Sequence, residues 1–190
     1  MTPFSSDHIT GADWRDLCDQ ALATSGDATE RQLACLSLAD DLAGDSDRIV
    51  DYLRDHSGIP HWVGCAVMGL CSNSFETYAE PAISVLATRF AADDFRIIPT
   101  LDGVLNEWLD ATRDWRERRL ATVAVVHGDP GSTRLPALLT ALSEGLQGGF
   151  LVGGIASGEK LATQIADCAT SGGLSGVLFS GSIAISTGLT

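Results

Sequence analysis

The sequence predicts an α/β or α+β fold in which one α-β-α-β-β unit occurs twice, forming a mixed sheet or two packed sheets with outer helices. The first observation is an internal repeat that spans about residues 11–90 and 102–181 of a single domain, 1–190. The second is that helical apolar stripes alternate with short apolar runs, which favours parallel crossovers. The matched pairs, each 89 residues apart, are Leu36 with Val125, Gly64 with Gly153, and Gly69 with Gly158.

The first copy alternates helical and extended patterns. An apolar stripe at helical spacing predicts its first helix, and Gly58 is placed to end its second, since glycine tolerates the left-handed conformation found after helices. The predicted elements are a helix over 13–24, a strand over 33–38, a helix from 45 or 46 to 57, and strands over 60–67 and 82–90.

The second copy repeats this order. Its first helical stripe overlays that of the first copy at an offset of 91, and Pro136 is tolerable in the first turn of its second helix. The predicted elements are a helix over 104–115, a strand over 122–126, a helix over 135–146, strands over 150–155 and 177–179, and one further strand over 183–187.

Charge and composition exclude several classes of function. The formal net charge of −13 opposes binding to phosphate backbones and anionic membranes, so we expect no nucleic-acid or membrane partner. The apolar runs are strand-sized, well short of the roughly 20 residues of a membrane-spanning helix, and the N-terminus does not resemble a signal peptide. Five cysteines without framework spacing favour a reducing, cytoplasmic location.

Glycine-rich turns at equivalent strand exits are the candidate ligand site. Glycine there lets a ligand or another backbone approach closely, so the alternative to a ligand cleft is tight packing at a bulge or strand crossing. The second turn is lined by smaller residues than the first, which makes it the better candidate for a ligand. The candidate ligand-binding residues are Gly64, Cys65, Gly153, Gly154, Ala156 and Ser157.

Catalytic and cofactor motifs are weak in this sequence. No phosphate-binding loop or zinc pattern is complete, so we expect no metal site and no enzyme activity. Cys65 follows a strand and is the one candidate nucleophile, although no general base can be assigned to it. His61 and His127 lie at strand ends, where an imidazole could face a cleft.

Four segments resemble the N-terminal part of the FIST domain, a domain named for F-box and intracellular signal transduction proteins. Each segment is short and apolar, and their order and spacing carry the resemblance. They are residues 61–65, 80–86, 150–157 and 173–189.

The resemblance implies a non-enzymatic cytoplasmic sensory module that binds a small ligand such as an amino acid and signals to a partner, for example a histidine kinase. It also implies a C-terminal companion domain, which is missing from this sequence. Some members of the family are described as haem-binding nitric-oxide sensors, and this alternative would use His61 or His127 as the haem ligand. A cysteine-dependent enzyme and a pure interaction module are also compatible with the residues.

Overall fold

The computed structural model describes residues 4–25, 30–72, 75–146, 149–158 and 162–186 of the chain. The first half contains strands β1 (Phe4–Thr10), β2 (Leu33–Ala39), β3 (His61–Val67), β4 (Gly69–Ser72), β5 (Phe75–Tyr78) and β6 (Ala82–Thr88), and helices α1 (Trp14–Ser25) and α2 (Ser46–Ser57). The second half contains β7 (Phe95–Ile98), β8 (Val123–Gly128), β9 (Phe150–Ile155), β10 (Gln164–Ala166), β11 (Ala169–Thr170) and β12 (Leu174–Phe179), and helices α3 (Leu105–Arg119) and α4 (Leu135–Gly145).

Both halves have the same sheet topology. The first sheet has the order β1-β6-β2-β3-β10-β11, and the second has the order β7-β12-β8-β9. In the first half, α2 connects the parallel strands β2 and β3, and β6 pairs antiparallel with β2. In the second half, α4 connects the parallel strands β8 and β9, and β12 pairs antiparallel with β8. This mixed pairing confirms the predicted α/β or α+β fold class.

A short hairpin follows the parallel pair in each half, and the two hairpins differ in where they lie. The hairpin β4–β5 forms a separate two-stranded sheet beside β1, where His8 Nε2 lies 2.6 Å from Thr77 Oγ1. The hairpin β10–β11 instead joins the first sheet, because β10 pairs antiparallel with β3. The second half therefore completes the sheet of the first half.

The protein has four layers, in which two sheets pack face to face between two pairs of helices. One core lies between the first sheet and α1 and α2, and contains Leu17, Leu36 and Trp62. A second core lies between the second sheet and α3 and α4. A third cluster joins the sheets and contains Val63 of the first sheet and Val177 of the second. The outer helices are those that the apolar stripes predict.

The structure corrects the predicted unit in three respects. Each half begins with an additional strand, β1 or β7, and contains the additional hairpin, so the order is β-α-β-α-β-hairpin-β. Residues 183–186 form no strand, and residue 187 lies outside the described residues. Gly58 ends α2 in the left-handed conformation, with φ of 72°, as predicted.

Candidate functional site between the two halves

Gly64 and Gly153 lie in the middle of β3 and β9, and not in turns at the strand exits as predicted. Each has a positive φ, 156° for Gly64 and 147° for Gly153. A Cβ atom would lie 1.7 Å from Leu36 O at the first position and 1.9 Å from Val126 O at the second. Both glycines therefore allow close backbone contact within the parallel pair.

The segments that follow β3 and β9 meet each other. The Met68 amide donates a hydrogen bond to Ser157 Oγ, at 3.1 Å. These two residues are 89 positions apart and occupy similar places after β3 and β9, so corresponding segments of the two halves meet here. Ala156 is buried beside this contact, whereas Ser157 is exposed. The predicted site residues Ala156 and Ser157 thus lie where the two halves meet.

Four polar side chains lie between the two sheets, and we refer to Cys65, His127, Gln164 and Ser175 as the inter-sheet polar cluster. Cys65 is opposite Gln164 in the pairing of β3 with β10, and His127 is opposite Ser175 in the pairing of β8 with β12. Side chains alternate along a strand, so these residues share a face with the apolar residues that join the sheets. Strands β10 and β12 are in contact, which brings the two pairs together.

Three buried polar atoms of the cluster have no hydrogen-bond partner within the described residues: His127 Nδ1, Gln164 Oε1 and Ser175 Oγ. Gln164 and Ser175 are fully buried, and the Gln164 amide group makes one long bond, from Nε2 to Gly173 O at 3.5 Å. Buried polar atoms are satisfied in most native proteins, and each exception needs an explanation. The cluster therefore offers free hydrogen-bonding capacity at the interface between the halves.

Burial also determines the charge state of His127. It lowers the pKa of this imidazole to about 4, and no charged neighbour contributes to the shift. The imidazole is therefore neutral near pH 7, with one ring nitrogen that donates and one that accepts. The cluster is polar but uncharged under these conditions.

Cys65 does not have the environment of a catalytic nucleophile. Burial raises the pKa of its thiol to about 11, so the reactive thiolate is rare near neutral pH. Activated cysteines lie instead in partly exposed positions that stabilise the negative charge. The geometry gives no support to a cysteine-dependent enzyme.

We expect Cys65 to react with a thiol-directed electrophile about 100-fold more slowly than an unburied thiol, because two pKa units reduce the thiolate fraction by that factor. Mass spectrometry after timed labelling at about pH 7 measures each rate, with the exposed Cys71 as the internal reference. Denatured protein should label both cysteines at similar rates. Faster labelling of Cys65 than of Cys71 in the folded protein would contradict this prediction and restore the nucleophile hypothesis.

His61 is held at the outer end of β3 and does not face the polar cluster. Its Nδ1 lies 2.9 Å from Asp167 Oδ2. Its ring packs edge-on against the ring of Phe95, with the two ring centroids 5.5 Å apart. Asp167 also accepts a hydrogen bond from the Trp62 amide at 2.9 Å. This arrangement fastens the β10–β11 turn to β3, so His61 and Asp167 have a structural role.

Neither candidate haem ligand lines any of four clefts found among the described residues. The largest of these four, about 640 Å³, lies between α3 and α4 on the outer surface and is lined by Leu109, Arg116 and Leu120. Smaller clefts of about 200, 230 and 280 Å³ adjoin β9, the 3₁₀ helix Asp40–Asp45, and α2. None of these clefts is lined by His61 or His127, so neither imidazole faces a space of the size that a haem group needs.

Two members of the cluster could not be identified from the sequence. Gln164 belongs to a three-residue strand that has no pattern of its own, and Ser175 interrupts an otherwise apolar strand, LSGVLF. A serine on the buried face of such a strand was the one available signal. The long-range contact of β10 with β12 could not be deduced from either segment alone.

No helix in the described part of the chain is long and apolar enough to cross a membrane. The described residues also contain no group of three or more His, Cys, Asp or Glu side chains that could hold a metal ion.

Comparison with known proteins gives one family match. The model of the FIST N domain matches residues 32–190, which is more than half of the chain. No curated protein sequence shows significant similarity to this chain.

Proposed function

Because the chain belongs to the FIST N domain family, whose members are sensory domains of signal transduction, we propose that it binds a small ligand between its two halves and signals the binding to a partner. The observation that carries this proposal is the set of three unpaired buried atoms in the inter-sheet polar cluster. A ligand that donates to and accepts from these atoms would offset the free energy lost by burying them.

The chemistry of the cluster limits the class of ligand. Its groups are a neutral imidazole, a carboxamide and a hydroxyl, so they match an uncharged polar group. A charged group buried there without a partner would lose much hydration free energy. Amino acids that carry a side-chain amide or hydroxyl are therefore the first candidates, with that side chain placed in the cluster.

The position of the cluster suggests how binding could be transmitted. Two of its strands, β3 and β10, come from different halves and pair with each other, and the Met68–Ser157 contact joins the halves at a second point. A ligand between the sheets would bind only one arrangement of the halves strongly, and so would shift the population toward that arrangement. We propose that a partner recognises this change.

The proposed partners are those expected from the sequence, a C-terminal companion domain and a signalling protein such as a histidine kinase. We also propose a cytoplasmic location, since a reducing compartment suits a protein with five free cysteines.

The test is a thermal-denaturation screen of the chain with single amino acids. At ten times its Kd, a ligand that binds only the folded state adds about 1.4 kcal/mol to the free energy of unfolding. For a protein of this size the melting temperature should rise by about 3–6 °C. We expect this increase with asparagine, glutamine, serine or threonine, and not with lysine or glutamate.

The variant Ser175→Ala separates ligand binding from folding. It removes an unpaired buried hydroxyl, so the free protein should be as stable as the parent or more stable. The ligand should no longer raise the melting temperature of this variant. Thr140→Ala, on the exposed surface of α4, is the matched control and should retain the increase. Flat melting curves with every amino acid, or an equal increase in Ser175→Ala, would contradict the proposal.

A further inference from the structure

Strand β9 has one edge without a partner strand among the described residues. It is the last strand of the second sheet and pairs only with β8. The amides of Phe150 and Ala156 donate to carbonyl groups on the β8 side, at 2.7 and 2.9 Å. Since backbone groups alternate along a strand, those of Leu151, Gly153 and Ile155 point toward the open edge.

The equivalent edge in the first half is covered. Strand β10 lies antiparallel on β3, with Ile165 opposite Gly64. The Ala66 amide donates to Thr163 O, and Trp62 O accepts from the Asp167 amide. Ile165 is fully buried in the core formed with α1 and α2. The protein thus contains its own example of a strand added to this type of edge.

An apolar cleft lies at the corresponding place in the second half. It has a volume of about 200 Å³, which suits one aliphatic side chain, and it adjoins Gly153, the equivalent of Gly64. Leu139, which lines it, occupies in α4 the position that Val50 occupies in α2, and Val50 belongs to the same core as Ile165. The cleft is therefore the open counterpart of the space beside β3 that contains Ile165.

The composition of β9 differs from that of the other long edge strands. Unpaired edges are normally protected by charges, prolines or bulges, because an exposed apolar edge pairs with other chains. Edge strand β1 contains Asp7 and edge strand β7 contains Arg96, whereas β9 has the uncharged sequence FLVGGI. Its Phe150 and Ile155 are 51% and 58% exposed. This edge has the properties of a surface that is covered in the working protein.

We propose that β9 receives an extended segment of a partner polypeptide, which adds antiparallel to its open edge and inserts one aliphatic side chain into the cleft beside Gly153. The pairing of β10 with β3 gives the expected register. The aliphatic residue of the partner lies opposite Gly153, as Ile165 lies opposite Gly64, and uncharged residues flank it, as Gln164 and Ala166 flank Ile165. Backbone hydrogen bonds provide affinity and the cleft provides specificity, as in other cases of strand addition. The proposal does not depend on a ligand in the polar cluster.

The probe is a synthetic peptide with the sequence of residues 162–170 of this chain, in which Ile165 supplies the aliphatic side chain. It is added at about 1 mM, the effective concentration of a segment on a short flexible linker. Amide hydrogen exchange followed by NMR should show new protection at Leu151, Gly153 and Ile155. A peptide with Ile165→Asp should give no protection, because the cleft cannot hydrate a carboxylate.

A variant pair tests the cleft from the side of the protein. Ile155→Asp places a charge at its exposed rim and should weaken peptide binding at least about tenfold, which corresponds to about 1.4 kcal/mol. Leu120→Asp, at another exposed apolar residue, should leave binding unchanged. Unchanged exchange at the three amides with peptide would overturn the proposal. Protection that increases with protein concentration in the absence of peptide would assign the edge to a second copy of the chain and would equally overturn it.

Discussion

Replacement of Gly153 or Gly64 by alanine is expected to lower the free energy of unfolding by about 3–5 kcal/mol. Two effects add at each position. Alanine is strained at φ of 147° or 156°, and its Cβ would lie within 2 Å of a carbonyl oxygen on the neighbouring strand. Relief of the overlap would separate the parallel strands at the centre of each half. Urea denaturation followed by circular dichroism measures the change.

Gly154→Ala is the matched control, since a Cβ at Gly154 would meet no atom within 4 Å. We expect its effect to be within about 0.5 kcal/mol. The free energies of unfolding of the Gly153→Ala and Gly154→Ala variants should therefore differ by several kcal/mol. Equal stability of Gly153→Ala and Gly154→Ala would show that the close contact with Val126 is absent from the protein in solution.

Acidification from about pH 7.5 to about pH 5 should destabilise the protein by about 2 kcal/mol through His127 alone. The pKa of this histidine is about 4 in the folded protein, against an ordinary value of 6.5. The unfolded chain therefore binds a proton first as the pH falls, and the loss accumulates between these two pKa values. Well above its ordinary pKa of 6.5 the imidazole is neutral in both states, so its contribution no longer changes with pH.

The variant His127→Gln isolates this effect, because glutamine is uncharged throughout the range. The free energy of unfolding of the parent should fall by about 2 kcal/mol more than that of the variant over the same interval. Parallel pH profiles for the parent and His127→Gln would show that His127 titrates normally, and hence that it is not buried as described.

Periodicity in the sequence was sufficient for the regular elements that form the cores. Strands β2, β3, β6, β8 and β9, part of β12, and the four α-helices of the described chain were predicted, because each presents an apolar run or stripe. Strand β1 was missed, since its sequence FSSDHIT is mostly polar and lies at a sheet edge. Strand β7 and the two hairpins are too short for their sequence patterns to be distinguished from those of loops.

The candidate site was predictable only in part. Equivalent glycines in the two copies indicated a close approach, and the structure shows that the partner at Gly64 and Gly153 is the neighbouring backbone. Cys65 and His127 were identified individually as candidates for catalysis or cofactor binding. Their membership of one cluster with Gln164 and Ser175 depends on the packing of two sheets, and no spacing along the chain encodes that packing.

The sequence by itself determined the α/β character, the order of the main elements, and the likeness of the two copies, because apolar periodicity and glycine placement are local properties of the chain. Only the tertiary structure decided that β10 covers the edge of β3, while no strand among the described residues covers the outer edge of β9. The two hairpins follow equivalent strands, yet they pack in different places. The reason is physical: a hairpin of a few residues has little pairing preference of its own, so the surfaces available around it select its position.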